Sequence, residues 1–209
     1  MRKIASLAML LVFAVVFLAG CGAINRTVEE IMTGDYVIGT IDGDNFESEW
    51  LNLRFTAPDG FIMASQEEIL EMMQLGLDMM DVDSSVVAWA EMAVVSEMMA
   101  MLPTGLASVS VATERIMLSN ITIEQYVEAA FQGVEALGWE VSPNDDLRQI
   151  NFAGNQWYTY TATVEAFGID WSYQYLVRRF DNRMALITVY AIAGEEAHID
   201  TLINAFAAY

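Results

Sequence analysis

Residues 157–193, WYTYTATVEAFGIDWSYQYLVRRFDNRMALITVYAIA, decide the fold class. Three runs, 157–166, 169–180 and 183–193, are separated by Phe167-Gly168 and Asp181-Asn182, pairs with the chemistry of two-residue hairpin turns. Turns of that length fix the registers. The first places Val164 opposite Trp171, Ala162 opposite Tyr173 and Tyr160 opposite Tyr175. The second places Tyr175 opposite Thr188, Tyr173 opposite Tyr190 and Trp171 opposite Ile192. Both registers gather aromatic rings on one face. Thr159, Thr161, Thr163, Ser172 and Gln174 fall on the other. A slip of one residue would exchange the faces, so pattern and register support each other.

Working outward, Ser65-Gln66-Glu67-Glu68 and Thr122-Ile123-Glu124-Gln125 are capping boxes. The first opens a helix with Ile69, Leu70, Met72, Met73 and Leu77 at helical spacing. The second opens a helix that runs to Leu137, with Gly138 placed to cap its end. A further methionine-rich helix is expected over 85–101, stopped by Pro103. Strands are expected over 36–41, 48–56 and 106–113, with a turn at 42–45, and a closing helix over 195–208. Hairpins grouped together, with helices between the groups, predict an α+β domain rather than a wound parallel sheet. It should occupy 35–209 as one unit, with a helical methionine-rich insertion at 65–103. The 65–101 helices are expected to cover the tyrosine face.

The N-terminus carries a separate message. Arg2 and Lys3 precede an uncharged run, 4–19, that is shorter than the roughly 20 residues a membrane-spanning helix needs. The run ends in Leu18-Ala19-Gly20-Cys21, and Cys21 is the only cysteine. That tetrad resembles the bacterial lipobox, in which the thiol takes a diacylglyceryl group and cleavage makes the cysteine the new N-terminus. The resemblance implies a signal peptide over 1–20, an anchor on Cys21 and a tether over 22–35. The protein would then be extracytoplasmic, joined to the bacterial membrane by lipid. Loss of residues 1–20 leaves 7 arginines, no lysine and 29 acids, a net charge of −22. Such a charge disfavours nucleic acid and anionic lipid surfaces.

Many chemistries are excluded. Without lysine there is no Walker-type phosphate loop, Schiff base or Ser–Lys pair. His198 is the only histidine, so no multi-histidine metal site can form, and it is read as a solvated residue among Glu195, Glu196 and Asp200. The acidic turns at 42–45 and 81–84 fail as calcium loops, since their twelfth positions are Leu53 and Met92. Two enrichments stay open. Met72, Met73, Met79, Met80, Met92, Met98, Met99 and Met101 could be core filler, an adaptable apolar groove or a soft Cu(I) site. Tyr158, Tyr160, Tyr173, Tyr175 and Tyr190 could be core or line a ligand pocket. The candidate apolar ligand layer is therefore Met72, Met73, Tyr158, Tyr160, Tyr173 and Tyr175. No catalytic, metal or cofactor residue is assigned.

Residues 49–62, EWLNLRFTAPDGFI, resemble the opening motif of the PsbP-like lipoproteins, with Phe61 at the usual tryptophan position. TIEQYVEAA, FAGNQWYTYTATV and YQYLVRRFDNRMALITV are similar to that family's later elements, in order. The resemblance implies a central antiparallel sheet with helices on both sides, and an accessory or scaffold role. The expected function is a non-enzymatic, lipid-anchored accessory or protein-binding domain with an unidentified protein partner. The alternative is a carrier of a small apolar ligand or soft metal on the Met/Tyr layer.

Overall fold

The computed structural model describes residues 36–79, 94–116, 121–136 and 138–209. Among them are two antiparallel sheets and three helices. The larger sheet has eight strands. β4 (Ile62–Met63), β5 (Val94–Met101), β6 (Ala107–Arg115), β11 (Arg183–Ile192), β10 (Ile169–Phe180), β9 (Asn155–Ala166) and β7 (Glu140–Pro143) follow in spatial order. β8 (Arg148–Phe152) shares the outer edge of β9 with β7. The smaller sheet is ordered β1 (Thr40–Asp42), β2 (Asn45–Ser48), β3 (Leu53–Thr56), β12 (Phe206–Ala207).

The expected hairpin registers occur residue for residue. Val164 pairs with Trp171, Tyr160 with Tyr175, Tyr173 with Tyr190 and Trp171 with Ile192. Phe167 and Gly168 both adopt positive φ, 57° and 73°, as a two-residue turn matched to strand twist requires. β11 is buried along nearly its whole length, since it sits mid-sheet and is covered on both faces.

Alternation sorts the core into two layers. Tyr160, Trp171, Tyr173, Tyr175, Met184 and Tyr190 enter one, with Ile69 of α1 (Gln66–Met79) and Tyr126, Val127, Ala130 and Val134 of α2 (Ile123–Ala136). Val109, Val111, Trp157, Leu176, Ile187 and Val189 enter the other, with Phe46, Leu53 and Phe55 of the small sheet and Leu202 of α3 (Ala197–Ile203). Among the described residues the far face is thus covered by a second sheet with the short α3 beside it, rather than by helices alone.

Both capping boxes form. Glu68 accepts from the Ser65 backbone N–H at 2.8 Å, and Gln125 from that of Thr122 at 3.0 Å. Gly138 takes φ 80° and donates to the Glu135 carbonyl.

Three expectations are corrected. Residues 94–101 are a strand, not the end of a helix; residues 80–93 lie outside the described part. The strand is buried on both faces, so its apolar residues run on without the alternation that marks a half-exposed strand. The expected closing helix ends at Ile203, because Phe206 turns into the core against Phe55 and Phe152 and the chain pairs with β3. The expected strand 48–56 is split by a turn at 49–52, where Asn52 has φ 54°, and the hairpin turn before it is only Gly43-Asp44.

Candidate functional site

The methionine and tyrosine candidates are mostly core. Tyr160 and Tyr175 stack at 4.7 Å, and Tyr173 and Tyr175 at 5.4 Å. All three are buried, whereas Tyr158 is half-buried. Met72 packs against this layer from α1. The side chain of Met73 lies outside the described part, as do Cys21 and the tether. α2 lies over the stacked tyrosines, with Phe131 edge-on to Tyr160 at 5.3 Å, and the described part of the 65–101 segment adds Ile69 to the same layer. Met98 and Met99 enter opposite core layers, so their thioethers diverge. Trp171 Nε1, the Tyr173 hydroxyl and Thr188 Oγ1 are buried without a hydrogen-bond partner. His198 stands at the start of α3, 3.4 Å from Glu195 and edge-on to Phe61. Among the described residues no group of three or more His, Cys, Asp or Glu is arranged to hold a metal ion.

A different place combines exposed apolar surface with a buried charge. β5 carries a bulge: Ser96 pairs with Ala112 and Met98 with Val111, leaving Glu97 as the extra residue. A bulge re-aims the side chain it displaces. Here it directs Glu97 to the small-sheet side, where it is fully buried. Its carboxylate accepts from the Gly39 N–H at 3.0 Å and from the Tyr36 hydroxyl at 3.3 Å. Gln66, at the start of α1, donates to the Glu97 carbonyl at 2.9 Å and fixes the bulge from behind. Loss of water pushes the Glu97 carboxyl up to about 7, against the hydrogen bonds from Gly39, Tyr36 and Ser48 and the charge of Arg183. Burial, then the neighbouring Glu97 charge, pushes the Tyr36 hydroxyl up as well.

Tyr36 is held further by rings and cations. Thr113 donates to its hydroxyl at 3.0 Å, and the Arg183 guanidinium lies 4.0 Å over its ring. Trp50 meets it edge-on at 5.0 Å and rests on Phe180 at 4.3 Å, and Arg178 lies 4.4 Å over Phe180. Residues 36–39 thus form a strap fixed at both ends to Glu97.

Between those ends, Val37 and Ile38 are 67% and 44% exposed. They line a groove of about 460 Å³. Trp50 and Tyr209 also line it, as do the exposed residues Glu47 and Glu49. Sequence reading missed this site. Its only signal was a single acid, Glu97, in an otherwise uncharged run, 94–101. A second buried acid, Glu114, faces the helix layer. It accepts from the Tyr126 hydroxyl at 2.8 Å, and burial pushes it up to about 7.

No protein-family model and no curated protein matches the chain. Several solved structures are similar in outline. Cyanobacterial PsbP (CyanoP) from Synechocystis sp. PCC 6803 is 11% identical, with 90% of this chain and 99% of that chain covered and a TM-score of 0.48. LpqN, involved in cell envelope biogenesis of Mycobacterium tuberculosis, is 9% identical over 88% of this chain and 98% of that one, at 0.42. A point mutant of the protein Mog1 is 10% identical over 80% and 96%, at 0.41. Among the described residues no helix is long and apolar enough to cross a membrane.

Proposed function

We propose that this is a non-enzymatic accessory domain, held to the outer side of a bacterial membrane by lipid on Cys21, that binds another protein at the strap groove. The observation that carries the reading is the strap itself. Two adjacent aliphatic residues stand in solvent while the residues on either side of them are tied to one buried carboxylate. Exposed apolar surface next to a lined groove marks interaction sites on otherwise soluble domains. A flexible chain of the length of 22–35 would span roughly 20 Å. The groove, beginning at residue 37, would therefore work close to the membrane.

The reading is tested in the native host by placing a photoreactive amino acid at Ile38 and, as a control, at Glu67 on the exposed side of α1. A defined polypeptide adduct is expected from position 38 and not from 67. It should be lost on Tyr209→Ala. No protein adduct at 38, or the same adduct at both positions, overturns the reading.

A further inference from the structure

We propose that the groove selects a basic residue flanked by apolar ones, on an extended segment of the partner polypeptide. The inference rests on the protein-binding reading and adds the chemistry of what is bound. Glu47 faces outward on β2, opposite Thr40 of β1 and Arg54 of β3, and Glu49 follows in the next turn. Both residues are exposed, and they line the groove together with Trp50 and Tyr209.

Carboxylates next to aromatic faces suit an alkylammonium or guanidinium group. The cation meets the acids and its methylene stem lies along the rings. The domain already makes such a contact with itself: Arg54 lies 5.6 Å over the Tyr209 ring, its Nε donating to the Ala208 carbonyl at 3.0 Å. Arg54 is thereby drawn toward the C-terminus, over the ring of a residue that lines the groove.

The rest of the lining, from Val37 to Thr40, has no charge. Val37 and Ile38 present two side chains on successive residues, which suits apolar neighbours of the basic residue rather than a lone amine. At about 460 Å³ the groove falls in the range that holds several side chains. An anionic membrane surface is the less suited occupant, because both acids and the chain's net charge of −20 oppose it.

The test uses the full-length lipidated protein in micelles with uncharged headgroups. The probes are short fluorescent peptides alternating lysine with valine, glutamate with valine, and lysine with serine. Saturable binding is expected for the lysine–valine peptide, with the other two at least about tenfold weaker. Glu47→Gln with Glu49→Gln should weaken it by about tenfold, the effect of about 1.4 kcal/mol. Glu67→Gln with Glu71→Gln removes the same two charges from α1 and should change it by less than about twofold. Equal losses in the two double variants would show diffuse attraction to an acidic protein and overturn the inference. So would binding to phosphatidylglycerol vesicles, but not to the peptides, through Val37 and Ile38. A protein adduct at Ile38 without peptide discrimination refutes the basic-residue chemistry alone. Absence of any adduct refutes the binding face itself.

Discussion

Glu97→Gln should reverse part of the protein's dependence on pH. In the folded chain the Glu97 carboxyl is pushed up to about 7 from an ordinary 4.5. The native state therefore holds that proton more tightly than the unfolded chain does. A carboxyl raised in this way contributes stability that is fully present below 4.5 and is lost as pH rises through about 7. The interval, at about 1.4 kcal/mol per pH unit, sets the loss at about 3 kcal/mol, net of the hydrogen bonds that oppose the shift. Glutamine cannot ionise, keeps an oxygen for the Gly39 N–H, and keeps the volume. The assay is urea unfolding of both proteins from pH 5 to pH 8. Wild type and variant carry the same other acids, so general repulsion and the titration of Glu114 cancel in the difference. The variant should gain on wild type by about 2–3 kcal/mol between pH 5 and pH 8. A flat difference, or one that moves the other way, would refute burial as the dominant influence on Glu97.

Gly39→Ala should destabilise the domain by about 1–3 kcal/mol in denaturant unfolding and remove the Ile38 adduct. Its Cβ would overlap the buried Phe46 ring and come within 2.9 Å of the Glu47 carbonyl, a backbone group with little room to yield. Tyr126→Phe leaves Glu114 without the hydroxyl that serves it and should cost about 1–3 kcal/mol, more at pH 8 than at pH 5, because the donor favours the ionised form. Cys21→Ser should release the protein from the membrane fraction or leave it unprocessed. Normal processing and retention of the variant would sink the lipid anchor.

The legible part of the sequence was local and repetitive. Two-residue turns at 167–168 and 181–182 leave one register that keeps Tyr160, Tyr173, Tyr175 and Tyr190 on a single face. The capping boxes at Ser65 and Thr122 are equally local, since each donor and its acceptor lie three residues apart. What was not legible depends on distant partners. Met98-Met99-Ala100-Met101 reads as helix because methionine is a good helix former. It is a strand because β6 supplies a ladder for it on one side. Phe206 and Ala207 continue a helical pattern in sequence, but β3 has an edge that this part of the chain covers. The small sheet is assembled from strands of two to four residues, too short for alternation to declare itself.

The candidate site was hidden for a different reason. An acid in an apolar run reads as the solvated side of an element, yet Glu97 is fully buried. Its retention there has a physical cause in the strap. Residues 36–39 precede the first ladder pair of β1, at Thr40, so the Gly39 N–H has no strand partner. A half-buried donor of that kind needs an acceptor, and the bulge brings one from β5. An apolar residue of equal size at 97 would remove the desolvation cost of the acid. It would also strand the half-buried Gly39 N–H and deprive the half-buried Tyr36 hydroxyl of its acceptor, which costs most where water cannot reach the group in its place. Glutamate serves both donors through two oxygens of one side chain. The segment it holds is the one that carries Val37 and Ile38 into solvent, which ties a buried acid of the core to the most exposed large apolar side chain among the described residues, Val37.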